Sequence, residues 1–319
     1  MKEKEYVFSY SLDNKRYHTL NFHNKTVYGG RVVKAVIDAG FTCPNKDGTK
    51  GTGGCIYCMD GSGYFTAAHG GNIYDSVQRQ LSAEKERIFK KYPDSMIIAY
   101  FQANTNTYAP VETLRSAFTA ALDFGVTGIS IGTRADCLPD DVIGLLSQLN
   151  SKTDLTVELG LQTVHDRTAA VINRCYDYRE FLSGYEKLKS AGIRTCLHII
   201  NGLPGETKDD MLDTAREVAR LNPDAVKIHL LHVNSNTALE RMYLSGEYSP
   251  LTRDEYIDIV ISQLEYLPQD IVIERITGDA DKRYLVAPKW SADKIAVLGG
   301  IDKQMKLRDT YQGIKADVM

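Results

Sequence analysis

Between residues 31 and 231 six short runs rich in β-branched residues alternate with amphipathic stretches of helical length. Period-two apolar patterning predicts strands at RVVKAVID (31–38), SMIIAYF (95–101), TGISIG (127–132), LTVELG (155–160), RTCLHII (194–200) and AVKIHLL (225–231). Helices are predicted between them: 74–92 stopped by Pro93, 111–125 ending on a glycine, and stretches opening at Pro139, Tyr178 and Lys208. Such alternation demands a parallel sheet, because parallel neighbours can be joined only by a crossover long enough to hold a helix. A doubly wound sheet and a (β/α) barrel both satisfy that demand. Polar clusters decide between them, because a barrel gathers its chemistry on the loops after its strands. The glycine-rich cysteine loop follows the first run, Gln102 to Tyr108 the second, Arg134 and Asp136 the third, Gln162 the fourth, Asn201 to Glu206 the fifth and His232 to Asn236 the sixth. The expected fold is α/β, a partial (β/α)6 TIM-like barrel over residues 31–270, with an N-terminal extension at 1–30 and a C-terminal cap at 271–319.

Three of the six cysteines fall in CPNKDGTKGTGGCIYC, at Cys43, Cys55 and Cys58, with eleven residues between the first and the second. With 43% hydrophobic and 25% charged residues the chain has ordinary globular composition and needs no disulfide staples. No run of about 18 uncharged apolar residues appears, and the start MKEKEYVFSYSL lacks the features of a signal peptide, so a cytoplasmic, membrane-free protein with reduced thiols is expected. A thiol cluster there points to metal. Zinc would take a fourth ligand, and His69 could supply it. An iron–sulfur cluster on three thiolates would leave one iron open for substrate or cofactor. Spacing alone leaves both open. Cys137, Cys175 and Cys196 are scattered without a CxxC spacing, so a second cluster is not expected.

The cysteine stretch, preceded by DAGFTCPN (38–45) and followed in order by AYFQANTNTYAP, IGTRADCLPD, ELGLQT, HIINGLPGET and KIHLLHV, resembles the radical S-adenosylmethionine (radical SAM) superfamily over most of residues 30–235. The long first gap departs from the usual three residues and is similar to the branch that contains the catalytic subunit of Elongator. The resemblance implies a radical SAM barrel with a [4Fe–4S] cluster on Cys43, Cys55 and Cys58, and S-adenosylmethionine (SAM) chelated at the open iron. It further implies that Tyr57 lies near the adenine, Gln102 and Asn104 bind the SAM amino group, and Glu158 and Gln162 sit at the ribose. Arg174 would fork onto the SAM carboxylate, with a surface helix position as its bland alternative, and Gly202, Pro204 and Gly205 would admit the adenine to the backbone. An external one-electron donor, a flavodoxin or ferredoxin, is implied as well. No acid or base is assigned.

Kinship with Elongator implies tRNA as substrate and a step from carboxymethylaminomethyl to aminomethyl uridine at the wobble position; acetyl-CoA chemistry is not expected to carry over. Net charge is -3, yet residues 1–70 hold nine Lys/Arg against six Asp/Glu and residues 271–319 nine against seven, so a polyanion would be drawn to the ends. Lys282, Arg283, Lys289, Lys294, Lys303, Lys306 and Arg308 could grip phosphates, with Tyr284 or Trp290 stacking on a base. His229 and His232 could face substrate, a satisfied core histidine being the commoner case. A radical SAM enzyme on a small molecule and a zinc-dependent RNA-binding protein are the competing functions.

Overall fold

The computed structural model describes residues 8–11, 15–59, 72–102, 104–278 and 281–316. In chain order the first elements are α1 (Leu20–Tyr28), β1 (Val32–Ile37), α2 (Ile73–Lys91), β2 (Met96–Phe101), α3 (Val111–Asp123), β3 (Gly128–Thr133), α4 (Asp140–Asn150), β4 (Asp154–Gln162), α5 (Asp166–Val171) and α6 (Tyr178–Ser190). They continue with β5 (Arg194–Asn201), α7 (Lys208–Leu221), β6 (Ala225–Leu230), β7 (Val233–Asn234), α8 (Ala238–Leu244), α9 (Arg253–Tyr266), β8 (Val272–Arg275), β9 (Leu285–Ala287) and α10 (Lys294–Leu307). All six predicted strands form, each within two residues of its expected ends.

Seven strands make one sheet in the order β1-β2-β3-β4-β5-β6-β8. β1 to β4 pair in parallel, and so do β6 and β8. An order that follows the chain without reversal belongs to a partial TIM-like barrel; a doubly wound sheet reverses at a switch point. The chain forms two compact units, one of Tyr28–Leu161 and Asn173–Cys196, the other of Met1–Val27, Gln162–Ile172 and Leu197–Met319.

In the first unit β1 to β4 turn Ala35, Ile37, Ile97, Ala99, Phe101, Ile129, Ile131, Leu155, Val157 and Leu159 to one face, where all are buried. Phe101 meets Phe118 of α3 edge to face, with ring centroids 5.1 Å apart, so this is the helix-covered face. Each of the Ile, Leu, Val and Phe side chains contributes about 1.5–3 kcal/mol of burial. Strand alternation then places Lys34, Tyr100, Ser130 and Glu158 on the opposite face. Local signals set the helix ends. An Asp177–Glu180 capping box starts α6, Asn72 caps α2, and α2 stops at Tyr92, ahead of Pro93.

In the second unit capping boxes Thr207–Asp210 and Thr252–Glu255 start α7 and α9, and Asn222, left-handed at φ 48°, ends α7. Its sheet continues past residue 271, since β8 pairs with β6 inside the segment expected as the cap. The chain start joins here too: His18 O accepts from Ile273 N–H at 2.8 Å, and Gln312 N–H donates to Arg16 O at 2.9 Å. Among the described residues no helix is long and apolar enough to cross a membrane.

Candidate metal centre

The chain leaves β1 under restraint. Asp38 N–H donates to Gln80 Oε1 at 2.9 Å and Asp38 O accepts from Gln80 Nε2 at 2.8 Å, which ties the strand end to α2. Phe41 O then accepts from Asn104 Nδ2 at 2.9 Å. The eleven-residue gap folds on itself: Cys43 O takes Lys46 N–H (2.8 Å) and Asp47 N–H (3.1 Å), Pro44 O takes Lys50 N–H (2.8 Å), and Asn45 O takes Gly54 N–H (2.8 Å). Gly53 and Gly54 are both left-handed, at φ 77° and 73°, which is why the loop ends on a glycine pair. Cys58 N–H then donates to Cys55 O at 2.9 Å, closing the tight pair into a turn.

The thiols share an electrostatic environment. Cys55 is pushed above its usual range by its hydrogen bond to Cys58 and by burial. Cys58 is pulled down by that same bond and by the charge of Lys46. Of the two thiols, Cys58 is the one that gives up its proton more readily. Lys46 Nζ also reaches Asn104 Oδ1 at 3.2 Å and Met59 O at 3.3 Å, bridging the cysteine loop to the loop after β2. Burial first, then the two thiols beside it, raise Tyr57 far above the ordinary phenol, so it stays neutral.

Behind the loop lies a buried ion cluster. Arg134 grips Asp136 with two bonds of 2.9 Å, Lys50 from within the cysteine loop reaches the same carboxylate at 2.8 Å, and Arg134 lies 4.7 Å over the Tyr176 ring. Burial opposes the charge on Asp136, but Arg134 and Lys50 outweigh it and hold the carboxyl below its usual range.

The residues expected to bind SAM separate by unit. Tyr57, Gln102, Asn104, Glu158 and Arg174 lie in the unit that carries the cysteines, and Gln162, Gly202 and Gly205 in the other. Gln102 is exposed at the end of β2. Asn104, left-handed at φ 58°, spends both ends of its amide on Phe41 and Lys46. Glu158 is 1% exposed, and its carboxylate meets Lys34 Nζ (2.7 Å), Ser130 Oγ (2.6 Å) and Tyr100 OH (2.8 Å), so the partner a buried carboxylate needs is supplied by the protein. Arg174 is fully buried rather than on a surface helix; it donates to Leu161 O at 2.5 Å and Tyr176 O at 3.0 Å and stacks on the Tyr176 ring. In the second unit Gln162 is left-handed at φ 66°, with a buried Oε1 that has no hydrogen-bond partner among the described residues. Gly202 and Gly205 have φ 85° and 80°, and a Cβ on Gly202 would crowd Leu251 at 3.2 Å.

Sequence reasoning left Asn45, Lys46, Lys50 and Asn173 without roles. Asn45 and Lys46 stand directly after Cys43-Pro44, the one signal that could have marked them. His229 and His198 pair their rings at 5.1 Å, and burial, then repulsion from His198, holds His229 well below the usual imidazole range. His69 lies outside the described residues.

The donor set fits an iron–sulfur cluster. The amide N–H of Asn45 faces the Cys55 sulfur and the charge of Lys46 bears on Cys58, a polarity that suits thiolates holding accumulated negative charge. Among the described residues no three His, Cys, Asp or Glu side chains converge as ligands of one metal ion. Residues 47–218 match the Radical SAM superfamily, and residues 223–307 match the Radical_SAM C-terminal domain. The chain belongs to the radical SAM superfamily. The cofactors of this radical SAM protein are a [4Fe–4S] cluster and SAM.

The chain is also similar to single proteins over part or nearly all of its length. It is 48% identical over 308 residues to the uncharacterized protein YtqA of Bacillus subtilis, covering 96% of this chain and 94% of that one. It is 27% identical over 161 residues to a tRNA uridine(34) acetyltransferase of Methanocaldococcus jannaschii, covering 50% of this chain and 29% of that one. The solved archaeal Elp3 of Methanocaldococcus infernus shares the fold, with a TM-score of 0.63 at 17% identity, over 88% of this chain and 64% of that one.

The other three cysteines of this radical SAM protein are poor ligands. Burial, then Asp136, pushes Cys137 up to about 12, Cys196 is fully buried in β5, and the Cys175 thiol donates to Asn173 Oδ1 at 3.2 Å. Single alanine variants at these positions are expected to keep the full iron content after anaerobic reconstitution. Iron loss from any of them would point to an auxiliary cluster.

Proposed function

We propose that this radical SAM enzyme modifies the wobble uridine of tRNA, converting a carboxymethylaminomethyl side chain toward an aminomethyl one: the carboxymethyl carbon would be oxidised to an imine, with SAM as the two-electron oxidant, and water would release it as glyoxylate. The observation that carries the reading is the 161-residue relationship to a tRNA uridine(34) acetyltransferase. The match covers half of this chain and 29% of that one, so the acetyl transfer named for that protein is not carried over. Held by Cys43, Cys55 and Cys58, a [4Fe–4S] cluster with SAM would supply one-electron cleavage of a sulfonium and a carbon radical able to take a substrate hydrogen. Within the unit that carries the thiols, Tyr57, Gln102 and Arg174 are the contacts for SAM, and Asn104, with both ends of its amide taken, becomes one only by giving a partner up. Glu158, already engaged by three side chains, serves the ribose only if it gives one of them up. The electron comes from an external flavodoxin or ferredoxin in the cytoplasm.

An anticodon loop suits such a site, because its wobble base is unpaired and leaves its stack at low cost. Lys282, Lys289, Lys303 and Lys306 are exposed, and Tyr284 is 39% exposed, as phosphate and base contacts require. Arg283 and Arg308 are already paired with Asp281 and Asp258, and the Trp290 indole donates to Leu251 O at 3.1 Å, so these are weaker candidates. Deleting the gene and analysing tRNA nucleosides by mass spectrometry tests the reading. The carboxymethylaminomethyl nucleoside should accumulate as the aminomethyl one disappears; an unchanged wobble profile rejects tRNA as substrate. Charge reversal at Lys282 and Lys289 should weaken tRNA binding about tenfold and flatten its salt dependence.

A further inference from the structure

Asn45 is fully buried two residues after Cys43. Its Nδ2 lies 3.7 Å from Cys55 Sγ and also donates to Asn173 O, two acceptors that the two N–H bonds of one amide can serve together. Its Oδ1 has no hydrogen-bond partner among the described residues, so the amide is oriented by its donors. The mount is rigid. Asn173 Nδ2 donates to Gly54 O at 2.8 Å, which pins the loop immediately before Cys55 to the segment after α5. Asn173 and Cys175 are both left-handed, at φ 55° and 60°, a conformation that non-glycine residues hold only when their surroundings enforce it. Gly51 makes the close approach possible, since a Cβ there would lie 2.4 Å from Asn45 Oδ1 and 2.8 Å from Cys175 Sγ.

We infer that Asn45 is a positioning residue whose N–H···S bond to Cys55 raises the reduction potential of the cluster, an inference that rests on Cys55 being a cluster ligand. A hydrogen bond to a ligand sulfur stabilises negative charge there. The reduced cluster carries more of that charge than the oxidised one, so the bond favours reduction. The effect is strongest where water is excluded, and the burial of Asn45 meets that condition. The long gap between Cys43 and Cys55 thus has a use: it gives the chain room to turn Asn45 back onto the second cysteine.

The test is an anaerobic redox titration of the reconstituted full chain, followed by electron paramagnetic resonance, on wild type and Asn45→Leu, Asn45→Ser and Asn173→Ala variants. The Asn45 variants should retain the wild-type iron content and show a more negative midpoint. At a fixed ambient potential their ratio of reduced to oxidised cluster should fall about three- to tenfold, the worth of one modest hydrogen bond. Asn173→Ala loosens the loop without removing the donor, so its midpoint should stay at the wild-type value. An unchanged midpoint in both Asn45 variants overturns the inference. So does an equal shift in Asn173→Ala, which would assign the effect to loop packing, and so does loss of iron from both Asn45 variants, which would make the residue structural. If wild type itself assembles no cluster, the ligand reading falls and the inference with it.

Discussion

Replacing Cys43, Cys55 or Cys58 singly with alanine is expected to take reconstituted iron and SAM cleavage to background. The three-thiolate scheme has no spare ligand, because each cysteine serves a different iron. Rescue by a neighbour is blocked for physical reasons. Cys137 is held near a pKa of about 12 by burial and then Asp136, so its thiolate is scarce at neutral pH. Cys175, raised by burial, has its thiol on Asn173 Oδ1 at 3.2 Å. Iron and sulfide assays, the visible charge-transfer band and methionine release measure the outcome. One variant with full iron and full cleavage would remove that cysteine from the site.

Asp136→Ala should destabilise the protein by about 3–5 kcal/mol, because it strands Arg134 in the interior. That is a large part of a domain's total stability of about 5–15 kcal/mol. The Asp136 side chain is 2% exposed and Arg134 is 9% exposed, so water cannot take over the lost contacts. Lys50 stands between Cys43 and Cys55, so the same substitution should also lower iron retention. The sign with pH follows from the depressed carboxyl. Its stabilising contribution is whole above the ordinary Asp value of 3.8 and is lost as pH falls from there through the lower native value. Urea unfolding across pH 3–7 reads both effects; in Asp136→Asn the acid-linked loss from this group should vanish. A wild-type urea midpoint in Asp136→Ala would mean that the ion cluster contributes nothing to stability.

The cysteine spacing, the six βα strands and the order of polar loops were legible because each depends on neighbours close along the chain. Strand period placed Lys34, Tyr100, Ser130 and Glu158 on one face of their strands, but it could not say that they meet, because that depends on the register of four strands up to 124 residues apart. The parallel pairing of β8 with β6 was hidden for a related reason. Residues 272–275 are a short run that only its partner in the sheet turns into a strand.

The sequence by itself determined the chemistry available: three thiols in one loop, strands that must lie parallel, and motifs shared with a radical SAM barrel. Only the tertiary structure decided which groups surround the thiols. Asn45 and Asn173 are 128 residues apart, and the bond from one to the other depends on a docking that no local pattern encodes. Propensity and period act within a few residues along the chain, whereas the polarity around a thiolate is set by whatever the fold brings within hydrogen-bond reach.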